Sequence, residues 1–232
     1  MTSSQIVVFV VDKERDIANH FIALRSYKRN KERGFQQQKN ENLERLSELD
    51  SDEKVQIEIE KIMEPYYKKE DKLISLAQDI NEEWIKIEKD FIQRLERVHK
   101  NSFSSIQVKG VLSSASRFGY KQDEEWFATN MFNNKFLCMD TAMHELMHFM
   151  FHRYYDKVCE EKGLSSEQMW DVKESFTALL NLEFGDLRFQ ADKGYPPHTK
   201  LREVIKTSWE KESDFDKTLE AAIMFVKSNN VV

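Results

Sequence analysis

Leu73, Ala77, Ile80, Trp84, Ile87, Phe91, Leu95 and Val98 recur at spacings of three and four. That stripe predicts an amphipathic helix about 30 residues long. Before it, residues 5–12 are β-branched and aromatic between polar neighbours and predict a short buried strand. From Glu14 the pattern turns helical, punctuated by Gly34 and Pro65, and Gln36 to Leu49 is polar enough for a loop or a loosely held helix. Ser104 to Phe132 changes character toward Ser, Gly, aromatic and β-branched residues, predicting two or three antiparallel strands with turns near Gly110 and around Gly119 to Asp123. Helix returns at Asp140 or Thr141, either of which could be the N-cap, and runs to a stop at Gly163. Ser165 with Gln168 has capping-box spacing and opens a helix ending near Gly185. After Pro196 and Pro197, Leu201 to Trp209 and Phe215 to Val226 predict closing helices. The expected fold is α+β and helix-rich, with a small antiparallel sheet, in one domain. Residues 1–65 would give an N-terminal strand and polar helical segment, 66–190 a core, and 191–232 a closing helical segment.

Composition narrows the classes. Of 232 residues 33% are charged and 40% hydrophobic, and no apolar run is long enough to span a membrane. The net charge of -6 lacks the Lys and Arg excess of a nucleic-acid binder, and the basic stretch from Arg25 to Arg33 reads as a solvated helix face. Cys138 and Cys159 flank or sit within one expected helix, with their backbones about 30 Å apart, too far for a disulfide. The N-terminal run is too short for a signal peptide and lacks a basic start. A cytoplasmic location is expected, with neither nucleic acid nor membrane as partner.

Within this frame "TAMHELMHFM" stands out. His144 and His148, four residues apart, share one helix face and can converge on a single ion. Glu145 lies about 100° round, beside such an ion, where a carboxylate can take a proton from water. Ala142, Met143, Leu146, Met147, Phe149 and Met150 are uncharged, so the helix is expected to be buried. Unpartnered polar groups there would cost several kcal/mol, and a divalent cation is the simplest partner.

Zinc needs a third protein ligand. On the following helix Met169, Val172, Phe176, Leu179 and Leu180 make an apolar face, while Trp170, Glu174, Thr177, Ala178 and Asn181 share the other. That opposite face is mostly small, so Glu174 could reach the ion from a closely packed helix. Glu167, Asp171 and Glu183 are weaker rivals, and His152 sits a turn too far along to join His144 and His148.

These residues resemble the gluzincin group of zincin metallopeptidases, the thermolysin-like proteins with H-E-x-x-H and a distant glutamate ligand. The order of long helix, strands, H-E-x-x-H helix and glutamate helix is similar to the compact minigluzincin core, over roughly residues 66–190. A metzincin would need histidine at 154, which is tyrosine here. The resemblance implies one zinc ion on His144, His148 and Glu174, Glu145 as general base and proton shuttle, and residues 66–100 as a backing helix. It implies a substrate-binding rim along Trp126, Phe127, Ala128, Thr129 and Asn130, where an extended peptide adds as a strand. The thermolysin-like aspartate four residues past the glutamate ligand is Ala178 here, so Asn181 or a backbone carbonyl would orient a zinc histidine. Tyr154, Tyr195 and His198 are candidate donors to a transition-state oxyanion. The expected function is a zinc metallopeptidase acting on a peptide or protein, in active or latent form. The other readings are a non-catalytic or regulatory zinc-binding module, and a regulatory protease cutting one intracellular partner.

Overall fold

Val7 to Val10 form strand β1, its alternate side chains Val7 and Phe9 buried. In this computed structural model, residues 5–32, 39–103 and 107–229 are described. The expected break at Gly34, the start of the polar stretch from Gln36, and the start of the segment from Ser104 lie outside them. Asp12 caps α1 (Lys13–Glu32) by accepting from Arg15 N. Asn40 and Ser51 cap α2 (Glu41–Ser47) and α3 (Asp52–Tyr67), and α4 (Glu70–His99) carries the long stripe. Pro65 lies inside the last turn of α3, and the chain breaks three residues later. Contacts divide the chain into two compact units, Met1–Ile85 with Ile106–Cys138 and Lys86–Ser105 with Met139–Val232.

In the first unit β1, β2 (Val108–Ser113), β3 (Tyr120–Lys121) and β4 (Trp126–Asn130) form one sheet in the order β1-β2-β4-β3. The sheet is mixed rather than antiparallel as expected. β1 and β4 both run parallel to β2, and only β3 pairs antiparallel, with β4. Buried Asp16 on α1 explains the turn of the chain after β2: it accepts from Ser113 Oγ at 2.5 Å and Ser114 N at 3.0 Å. Asn19, one turn on, donates to Ser113 Oγ and accepts from Gly119 N. After that turn the chain supplies β3 at the far edge and returns as β4, which lies between β2 and β3.

Leu24, Leu46, Val55, Ile59 and Met63 knit α1, α2 and α3 into a helical core. On the sheet, Phe9 meets Phe127 and Trp84 edge to face. Gly110 lies beneath these rings, where an added Cβ would sit 2.7 Å from Phe9 Cδ1 and 3.0 Å from Phe127 Cζ. β1 is an edge strand, and the Asn81 side chain on α4 caps it, accepting from Phe9 N at 2.8 Å and donating to Phe9 O at 2.9 Å.

The second unit holds the end of α4, most of α5 (Lys135–Glu161), α6 (Ser166–Phe176), α7 (Ala178–Glu183), a 3-10 turn at Pro196–His198, α8 (Thr199–Glu212) and α9 (Phe215–Asn229). Phe151, Tyr155, Phe176 and Phe215 stack into its aromatic core. Two expected boundaries move. α5 starts at Lys135 rather than Asp140 or Thr141, because Asn134 accepts from Leu137 N and caps it earlier. The single helix expected from Ser165 to Gly185 is broken at Thr177, whose hydroxyl lies 2.7 Å from the Glu174 carbonyl. No described helix is long and apolar enough to cross a membrane.

Candidate metal centre

α5 carries a long apolar surface because Ala142, Met143, Leu146, Met147 and Met150 are buried around it. His144 and His148 sit one turn apart on this helix, and their Nε2 atoms face each other at 2.9 Å. α6 brings in Glu174, whose Oε2 is 3.3 Å from His148 Nε2 and 3.7 Å from His144 Nε2. The three donor atoms lie within 4.8 Å of one another, and among the described residues no other group of His, Cys, Asp or Glu converges in this way. Ligands about 2.0–2.1 Å from a tetrahedral ion are separated from one another by about 3.3 Å. The three separations bracket that value, so the residues fit a zinc-sized cation.

Glu145 borders the cluster. Its carboxyl is buried, Oε2 has no hydrogen-bond partner, and burial pushes it up to about 7 against the pull of the His144 charge. A buried acceptor left open is costly unless something outside the chain takes it.

His144 is oriented from its other nitrogen: Nδ1 is 2.8 Å from Asp192 Oδ2. Such a carboxylate fixes the tautomer and turns Nε2 toward an ion. Asp192 belongs to a loop laid along α5, where Asp140, one turn before His144, accepts from Phe189 N and Gln190 N. Asn181 exchanges two hydrogen bonds with the Asp192 backbone, and Arg202 donates to Asp192 O and to Thr177 Oγ1. Gly194, at φ 60, donates its N–H to Asp192 Oδ1. The residue expected to orient a histidine, Asn181, therefore acts one layer further out, by holding Asp192.

The charges are uneven. Burial disfavours charge on His144, but its hydrogen bonds to Asp192 and Glu174 prevail and carry the ring up to about 10. In His148 burial prevails, aided by the Lys173 ammonium, and the ring is pushed down to about 3. Despite burial, Glu174 is held well below the usual carboxylate range by His148 and His144, and Asp192 is held down to about 2 by His144 and the nearby arginines. Of the two rings, His144 is thus the one favoured to carry the charge. His144 keeps 24% of its side chain exposed against 2% for His148, so the cluster opens to solvent on the His144 side.

The other expected residues have different occupations. Tyr154 donates its hydroxyl to Ser102 O, and His152 pairs with Asp156. His198 is buried against Asp171, and half-exposed Tyr195 packs on Trp170 and His198. Of the rival ligands, Asp171 is thereby taken by His198, and Glu183 accepts from Trp209 Nε1. Trp126 to Asn130 form β4 in the first unit, with Trp126, Phe127, Ala128 and Thr129 buried. Strand addition needs an open edge, yet along Trp126 and Phe127 the strand is flanked by β2 and β3, so the expected rim is interior there.

Residue spacing alone does not point to Asp192, Thr177 or Arg202; an acid two residues before a loop glycine is the one local sign of the first. Nor does it point to Lys173, buried with its Nζ 3.0 Å from Glu174 Oε1. No family model, curated protein or solved structure matches this chain.

Proposed function

We propose that the protein is a zinc-dependent metallopeptidase. The observation that carries this reading is the convergence of His144 Nε2, His148 Nε2 and Glu174 Oε2 beside a buried carboxylate with an unpartnered oxygen. Three protein donors suit a catalytic ion, since a structural site takes four, commonly with cysteine. Cys138 and Cys159 are both outside the donor group.

A zinc ion bound there would supply Lewis acidity, making water acidic enough to ionise near pH 7 and polarising an amide carbonyl. The side chains do the rest. Asp192 holds the His144 ring through Nδ1–H, so Nε2 is the nitrogen free to ligate. Glu145 accepts the proton that the attacking water loses and then gives it to the departing amine; a carboxyl held near 7 can do both. Glu145, His148 and Glu174 are themselves buried, which keeps bulk water from that side.

The test is elemental analysis of protein purified without chelators, with turnover of casein or a peptide library. Wild type should carry one zinc per chain, Glu174→Ala much less, and Glu183→Ala a full complement. Glu145→Gln should retain zinc and lose about 10²–10⁴-fold in rate. Wild-type protein free of metal, or a Glu145→Gln variant that cleaves normally, would sink the reading.

A further inference from the structure

Only one oxygen of Glu174 faces the imidazoles. The other, Oε1, meets an ammonium: Lys173 Nζ is 3.0 Å away. Adjacent helix residues point about 100° apart, so this contact needs the long lysine side chain to fold back along α6. It is also deep, with 5% of the Lys173 side chain and 7% of the Glu174 side chain exposed. An ammonium at that depth is costly unless paired, and a pair there is little screened by salt. The same ammonium bears electrostatically on Glu145 and His148. It belongs to the charges of the centre, and a solvated surface role does not account for it.

We propose that Lys173 is a positioning residue that keeps Glu174 a one-oxygen ligand and so sets the coordination number of the bound ion. The proposal rests on the metal-centre reading above. A carboxylate free to pivot can give both oxygens to one cation, as it does for larger oxygen-seeking ions. With Oε1 held by the ammonium, Oε2 alone remains for the ion. Two imidazoles and one oxygen leave a fourth position for water or substrate, the arrangement zinc favours. Released from Lys173, Glu174 could turn bidentate, and ions that prefer more oxygen donors would gain. The ammonium also repels any dication, but equally for ions of equal charge. A ratio of two affinities therefore isolates its geometric effect.

Three measurements on the full chain decide the matter. Zinc-edge X-ray absorption of wild type should give four nitrogen or oxygen neighbours at about 2.0–2.1 Å. Cobalt-substituted wild type and Lys173→Arg should show the intense visible absorption of four-coordinate Co(II), and Lys173→Met should lose it. The preference for zinc over manganese, from competition titrations, should narrow by roughly 10-fold in Lys173→Met and return in Lys173→Arg. A fifth neighbour in the wild-type zinc spectrum overturns the proposal, and this measurement decides alone if Lys173→Met does not fold. A Lys173→Met variant with unchanged cobalt absorption and unchanged metal preference overturns it too, while leaving the metal centre standing. A wild type that binds neither zinc nor cobalt instead removes the reading on which the proposal depends.

Discussion

Asp192 is a loop acid that the residue pattern would leave in water, yet it is 8% exposed at the side chain and holds His144 by Nδ1. Replacing it with asparagine keeps the shape and removes the charge that fixes the tautomer. Asp192→Asn should weaken zinc binding by about 10–100-fold, measured by chelator competition. Asn181→Ala, which loosens only the backbone under Asp192, should cost less than Asp192→Asn; an equal or larger loss would show that the carboxylate is not the orienting group. The convergence of His144, His148 and Glu174 is legible in the sequence because a helix turns spacing into direction. Asp192 and Lys173 are not, for opposite reasons. Asp192 gains its place through a loop that no periodicity describes. Lys173 sits at an ordinary helix position, and only the folding back of its side chain brings the ammonium to Glu174.

Elements follow the same divide. The long α4 stripe, the stop at Gly163 and the capping box at Ser165 were legible, each being set by neighbours within a turn or two. Strand direction was not, because alternation encodes which face is buried and says nothing about which way a partner runs. The turn after β2 is held by Asp16 and Asn19, about 95 residues away in sequence, a contact that no local pattern encodes. At Gly110, β2 passes beneath Phe9 and Phe127 with no room for a methyl. Gly110→Ala should destabilise the first unit by about 1–3 kcal/mol. A chemical melt would register this as a lower midpoint with unchanged slope, and an unchanged midpoint would mean that the two rings can move aside.

For the molecule as a whole, acidity is the expected weakness. His99 is 1% exposed between Phe215 at 4.4 Å and Tyr155 at 5.8 Å, and neither ring nitrogen has a partner. Burial pushes it down to about 3. Its folded value lies below the unfolded one near 6.5, so the neutral ring's full contribution is present above that pH and is lost as pH falls toward 3. Each unit of pH below about 6.5 should cost up to about 1.4 kcal/mol from this group alone. Urea melts of wild type and His99→Phe at pH 7, 5.5 and 4.5 isolate it: the gap between the two should shift by that amount per unit, and parallel profiles would refute the assignment. Asn81 has a consequence of another kind. By mimicking a neighbouring strand's backbone at Phe9, its amide leaves a stray chain no pair of hydrogen bonds to seize at that residue. The sheet carries its own stopper there, and concentrated solutions of the protein should be slower to form fibrils than those of an Asn81→Ala variant.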